Sequence, residues 1–326
     1  MWAAMIYGER DVRITEVPEP ELGDGDLLVR VRGVAPCGSD RHKYRTHTGR
    51  PRMWGHEISG EVLERGGSVP PSIGIGQHVA LLPVYGCMTC PMCESGQFVL
   101  CERPRVITGG FAEKVAIPWQ IALPVPVQMP WEIATLLPDV VCVPAAALKR
   151  TSVGGGQRVL VMGAGPIGIS AAMQARLLGA HVAILDRCEA RLAKAAPYTG
   201  LEVKDIDEPA LERFRPDVVI DCTGRDSLLR AGINLVKKNG WVCSVGGGSE
   251  PVLMVPDKDL VSRMVRLTGT WCFLKDDFSS HIRQVVEGKL DLSPLISMTF
   301  FTEGITDALE AWDRDPSIMK VVLCPR

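Results

Sequence analysis

Cys87, Cys90, Cys93 and Cys101 stand at C-x2-C-x2-C-x7-C spacing. Three thiolates in one short loop, with a fourth arriving after a turn of small and polar residues, suit a closed tetrahedral site for a soft metal. That is structural zinc. The common ferredoxin spacings differ from this one. Upstream, Cys37-Gly-Ser39-Asp-Arg-His42 and Gly55-His56-Glu57 put a thiolate and an imidazole 19 residues apart. They supply half of a catalytic zinc site, which needs three protein ligands and one open position. Taken alone, Cys37 reads equally as a core thiol and His56 as a hydrogen-bonded core histidine. Downstream, Gly163-Ala-Gly165-Pro166-Ile167-Gly168 fits G-x-G-x-x-G, and Asp186 follows 23 residues after Gly163. Gly163 permits a tight turn, Gly165 lets backbone approach a pyrophosphate, and Gly168 lets a helix pack on a strand. A tight strand–helix turn selects glycine too, so the context has to decide. A carboxylate at 186 accepts hydrogen bonds from the ribose hydroxyls and repels a 2′-phosphate, which favours NAD over NADP. Arg187 softens that preference, and Arg191 is placed to cover the adenosine side.

These residues need elements to hold them. The first third is β-rich: Asp26 to Val34 alternates in its centre, Val29 and Val31 against Arg30 and Arg32, and glycine and proline punctuate often. Gly109-Gly110 leads into another strand through Val115 and Ile117. Near residue 140 the texture changes. Val140–Lys149 suits a helix broken by Pro144. Strands are expected at 158–162, 181–185, 217–221 and 241–245, with helices at 167–178 and 228–237 between them. Alternating β and α with apolar strands predicts a doubly wound parallel sheet, placed at 141–276. Helices near 278–287 and 305–313 and a strand at 320–323 return the chain to the first domain, which comprises 1–140 and 277–326 with a zinc lobe at 86–102.

The whole chain agrees. At 326 residues it exceeds one typical core. With 46% hydrophobic and 23% charged residues and a net charge of -2, nothing global draws it to nucleic acid or membrane. The apolar run 117–127 is broken by Pro118, Pro124 and Pro126. The N-terminus lacks the order of a signal peptide. The expected compartment is the cytoplasm, where the eleven cysteines stay reduced.

The combination of Cys37-Gly-Ser-Asp, Gly55-His-Glu, the four-cysteine lobe, Gly110-Phe-Ala-Glu, the glycine fingerprint and Lys320-Val-Val-Leu resembles the zinc-dependent medium-chain dehydrogenase/reductase family. The resemblance covers essentially the whole chain, and within the family it is nearest to the polyol and secondary-alcohol dehydrogenases. It implies an α/β protein with a GroES-like catalytic domain and a Rossmann domain, two zinc ions per chain, NAD, a small-molecule alcohol or ketone substrate, and a homodimer or homotetramer. It also implies a third catalytic ligand shortly before the dinucleotide fold. Asp139, in Leu137-Pro138-Asp139, is at the matching distance, where polyol-type members more often carry glutamate. The bland alternative for Asp139 is a helix N-cap ahead of Val140. Glu57 is either a fourth ligand or a group beside the metal that exchanges with water, and the second role is favoured because full coordination would close the site. Ser39 and then His42 are placed to carry the alcohol proton outward.

The stretch 41–52 carries five basic residues and no acid. A solvated loop is the favoured reading over an anion site. The expected activity is hydride transfer between NAD and a polyol, sugar, aminocyclitol or secondary alcohol. The alternatives are a reductase of a ketone or enone, and a non-catalytic dinucleotide-binding zinc protein.

Overall fold

The computed structural model describes residues 1–324. The chain forms two compact units, Met1–Asp139 with Leu274–Ile282 and Asp291–Arg326, and Val140–Phe273 with Arg283–Leu290. The expected return at 277 thus begins at Leu274, and 283–290 belongs to the second unit. Residues 325–326, part of the expected range 277–326, lie outside the described residues.

The first unit is built on a seven-stranded sheet. Its path runs Ala122–Pro124, His78–Leu81, Glu57–Arg65, Asp26–Ala35, Lys320–Cys324, Ile296–Phe301, and Lys114–Pro118 pairs with Asp26–Ala35 off that path. The strand expected from alternation at 26–34 is its hub, with Leu27, Val29, Val31 and Val34 fully buried. Glu57 pairs with Ala35 and Leu323 with Val34. The loop after Ala35, the start of the 57–65 strand and the start of the 320–324 strand therefore meet at one end of the sheet.

The second unit carries six parallel strands in the order Leu201–Val203, His181–Leu185, Arg158–Met162, Val218–Asp221, Trp241–Ser244, Arg266–Gly269. Counted along the chain this is 3-2-1-4-5-6, the dinucleotide-fold order, with its switch point between 158–162 and 218–221. Val159, Leu160, Val161 and Met162 are all fully buried, as a sheet covered on both faces requires.

Between Trp131 and Arg150 the chain is helical, but the break falls at Leu137–Val141 as a π turn, not at Pro144. Pro144 is the third residue of the helix Cys142–Arg150 and has no N–H to return to the carbonyls of the π turn just before it. Gln174 Nε2 donates to Val141 O at 3.0 Å. This run is long and apolar enough to cross a membrane, yet 72% of its apolar window is buried inside the protein. Its apolar surface serves the core.

Candidate catalytic metal centre and dinucleotide turn

Cys37 follows the hub strand and precedes the helix Gly38–Thr46. Asp40, in the first turn, accepts the Cys37 N–H at 3.0 Å, so the helix fixes the loop that presents the thiol. The same carboxylate lies 3.6 Å from His56 Nδ1, which leaves Nε2 as the ring's other donor position. Trp54 to His56 are held by the Gly109–Phe111 segment: Gly110 N–H donates to Gly55 O at 3.0 Å and Phe111 N–H to Trp54 O at 3.1 Å. Gly55 has φ +88, and a Cβ on Gly110 would stand 2.6 Å from Ile58. Gly55-His-Glu and Gly110-Phe-Ala-Glu are two halves of one clasp.

Cys37, His56 and Glu57 bring donor atoms within 4.8 Å of one another, and Asp139 Oδ2 lies 3.7 Å from Cys37 Sγ. Asp139 sits inside the π turn, and the N-cap of the helix that follows is Val141. Asp139 is therefore not the helix cap, and a π turn is a frequent device for aiming a side chain at a site.

Glu57 is fully buried. Its Oε1 pairs with Lys320 Nζ, and its Oε2 has no partner among the described residues, nor has Asp40 Oδ1. Burial pushes the Glu57 carboxyl well above its ordinary value, Lys320 opposes the push, and Asp139 and Cys37 add to it. Burial, then the charge on Asp139, raises the Cys37 thiol to about 11. Two acids and a thiol gathered around unsatisfied buried oxygens call for a cation, and a dication would draw Cys37 to its thiolate. The donor set fits zinc.

The four-cysteine lobe fits it as well. Cys90 Sγ lies 3.5 Å from Cys93 Sγ and 3.8 Å from Cys101 Sγ; zinc–sulfur bonds of about 2.3 Å imply tetrahedral edges of about 3.8 Å. All four Sγ atoms, Cys87 included, lie within 4.8 Å. Backbone N–H groups of Cys87 and Arg103 donate to Cys101 Sγ at 3.4 and 3.3 Å and lower its pKa. Thr89 lowers Cys87 to about 5. A Cβ on Gly86 would stand 2.1 Å from Cys93 Sγ, so only glycine admits the thiols so close.

In the second unit the glycine turn sits where the strand Arg158–Met162 meets the helix Pro166–Leu177. Gly163 has φ +96, and a Cβ on Gly168 would stand 1.8 Å from Gly163 O. Gly165 differs: its φ is -77 and a Cβ there meets nothing within 4 Å. The fold itself does not require glycine at 165, but close approach of a phosphate to the helix N-terminus does. Asp186 accepts the Ala164 N–H and the Cys188 N–H, each at 2.8 Å. Arg191 Nη1 lies 4.0 Å from Asp186 Oδ2, and Arg187 is exposed. The turn fits a dinucleotide.

Residues 23–127 match the alcohol dehydrogenase GroES-like domain and residues 166–287 the zinc-binding dehydrogenase domain. L-galactonate-5-dehydrogenase of Escherichia coli K12 is 31% identical over 92% of this chain and 90% of its own. The chain belongs to the zinc-dependent medium-chain dehydrogenase/reductase family. Sorbitol dehydrogenase of Bombyx mori is 29% identical over 99% of this chain and 98% of its own. An alcohol dehydrogenase of Escherichia coli CFT073, solved with NADH, superposes with a TM-score of 0.91 at 26% identity, covering 99% of each chain. The protein is an oxidoreductase that uses zinc and NAD(P).

The basic stretch is not a loop throughout. Arg41, Lys43 and Arg45 lie on the helix Gly38–Thr46. Arg45 pairs with the buried Asp313, while Arg41 stands 5.1 Å over the Trp312 ring and Lys43 5.2 Å over Trp54. These charges are engaged within the chain, which does not favour an anion site. Sequence reasoning missed two residues of the metal centre. Asp40 carried a signal, an acid at the third position of the helix that follows Cys37. Lys320 carried a fainter one, a charge heading the apolar run Val321-Val322-Leu323.

Proposed function

We propose that this enzyme oxidises a secondary alcohol of a polyol or sugar-derived substrate with NAD, in the cytoplasm, as a homodimer or homotetramer. The observation that carries the reading is the convergence of Cys37, His56 and Glu57 donors within 4.8 Å, with Asp139 3.7 Å from the thiol. The substrate class is supported by the sugar-acid and sorbitol dehydrogenases to which the chain is similar.

In this reading Met1–Asp139 and its returning segments form the catalytic domain, and Val140–Phe273 the dinucleotide domain. Cys37, His56 and Asp139 hold the catalytic zinc, with Glu57 beside it, and the four cysteines of the lobe hold the structural zinc. Bound zinc supplies a Lewis acid for the alcohol oxygen, and NAD supplies the hydride acceptor. Ser39 and His42 are both exposed and lie three residues apart on one helix. Adjacent on one face, they take the alcohol proton at Ser39 Oγ and pass it through the His42 ring to water. Gly163, Gly165 and Gly168 shape the phosphate turn, and Pro166 and Ile167 open its helix. Asp186, already anchored by two backbone N–H groups, keeps lone pairs for the ribose hydroxyls and disfavours a 2′-phosphate. Arg187 and Arg191 flank it.

The test is zinc content per chain in the wild type and in Asp139→Ala, alongside NAD reduction with a panel of polyols, sugar acids and aminocyclitols. The reading requires about two zinc ions in the wild type and about one, with activity lost, in the variant. One zinc in both would end it.

A further inference from the structure

The helix Pro166–Leu177 buries Ile169, Ala171, Ala172, Met173 and Ala175, and two polar side chains, Ser170 and Gln174, are buried among them. Burying an amide is unfavourable unless its hydrogen bonds are made. Gln174 Nε2 donates to Ser170 Oγ at 3.1 Å, one turn back on the same helix. It also donates to Val141 O at 3.0 Å, 33 residues away in the chain. Val141 is fully buried. It is the last residue of the π turn Leu137–Val141, two residues after Asp139. A π turn interrupts the regular ladder of the α-helices on either side of it, and Pro144, in the helix that follows, returns no N–H to it. Gln174 brings a side-chain donor to that irregularity. Only Val140 separates Val141 from Asp139, so fixing the carbonyl of one constrains the direction in which the side chain of the other leaves the backbone.

We propose that Gln174 is a positioning residue that pins the π turn and thereby sets the direction in which Asp139 is presented to Cys37. The inference rests on the catalytic-zinc reading of Cys37, His56 and Asp139. Zinc–sulfur and zinc–oxygen bonds of about 2.3 and 2.1 Å at a tetrahedral angle imply a sulfur–oxygen separation of about 3.6 Å. Asp139 Oδ2 already stands 3.7 Å from Cys37 Sγ, so the turn presents the carboxylate at ligand distance before any metal is bound. Without the Gln174 donor the turn is free to relax toward the regular α ladder. That rotates residue 139 about the helix axis and draws the carboxylate off the thiol. The zinc is then left with Cys37 and His56.

The experiment follows zinc release to the chromogenic chelator 4-(2-pyridylazo)resorcinol from wild type and Gln174→Met, with NAD affinity read by fluorescence titration of the same proteins. Methionine keeps the length and the apolar contacts and removes the donor. The catalytic phase is identified as the one missing from Asp139→Ala, and the four-cysteine zinc serves as internal reference. In Gln174→Met the catalytic phase should quicken by about tenfold, the lower end of what partners of metal ligands do to affinity, while the reference phase and NAD affinity stay within about twofold of wild type. Cobalt loaded in place of zinc reports the ligands directly, and the absorption bands missing from Asp139→Ala should shift in Gln174→Met. A catalytic phase and cobalt bands unchanged in folded Gln174→Met overturn the inference. A quickened phase accompanied by loss of NAD affinity overturns it too, because the substitution has then damaged the whole helix. Should Gln174→Met not fold, Gln174→Leu decides by the same readings. Failure of both to fold makes Gln174 a folding residue and overturns the inference. A wild type holding only the lobe's zinc overturns the reading of the site, and this inference with it.

Discussion

At the catalytic centre each residue type follows from what its neighbours leave undone. Asp40 satisfies the Cys37 N–H and faces His56, so one carboxylate orders two ligands. Asp40→Asn keeps the shape but weakens both interactions, and zinc affinity at this centre should fall by about tenfold while the lobe's zinc stays, as competition with a chelator would read. For the proton path, His42→Ala should lower kcat by about a hundredfold with little change in KM. The deficit should shrink as pH rises and hydroxide takes over the proton, so the kcat–pH profile is the measurement. A parallel fall at every pH would remove His42 from the relay. In the second unit Asp186→Ser should improve the ratio of NADP to NAD kcat/KM by about tenfold or more. Because Asp186 also ties Ala164 and Cys188, NAD turnover should fall at the same time.

At the level of elements, the glycine turn separates function from packing. Gly165→Ala enters open space, so unfolding free energy should stay within about 0.5 kcal/mol of wild type while NAD affinity, read by fluorescence titration, falls by about tenfold or more. Gly168→Ala instead meets Gly163 O and should cost about 1–3 kcal/mol in stability. The π turn at Leu137–Val141 repays its irregularity by placing Asp139 against Cys37. The strands at 158–162 and 181–185 were legible to the residue, since buried parallel strands read as continuous apolar runs. The helix Gly38–Thr46 was not. Its basic residues show no amphipathic period, and it is held by Asp40 at its start and by Asp313 and Trp312 from the far end of the chain.

For the molecule as a whole, one surface stands out. The sheet of the second unit ends at Arg266–Gly269, which pairs on one side only. The same stretch of chain exposes Leu253, Val255, Val261, Met264 and Trp271 at 51–84%. An open edge among exposed apolar side chains is unstable against pairing, and a second copy offers a matching edge. Sedimentation should find at least a dimer, and Val261→Glu/Met264→Glu should shift it toward monomer. A monomeric wild type would refute this.

Local spacing alone carried the four-cysteine lobe, the glycine turn and the alternation of strands and helices, because those features are built from residues close in the chain or from periodicities of 2 and 3.6. Contacts across hundreds of residues lay beyond it. That Asp139 lies inside a π turn, 3.7 Å from Cys37, and not at a helix cap, follows only from the folded chain. Lys320 read as the first residue of a strand until the sheet set it against Glu57. Both depend on burial, and burial is a property of the assembled sheet: a charge is costly only where water has been removed, and no stretch of sequence states where that is.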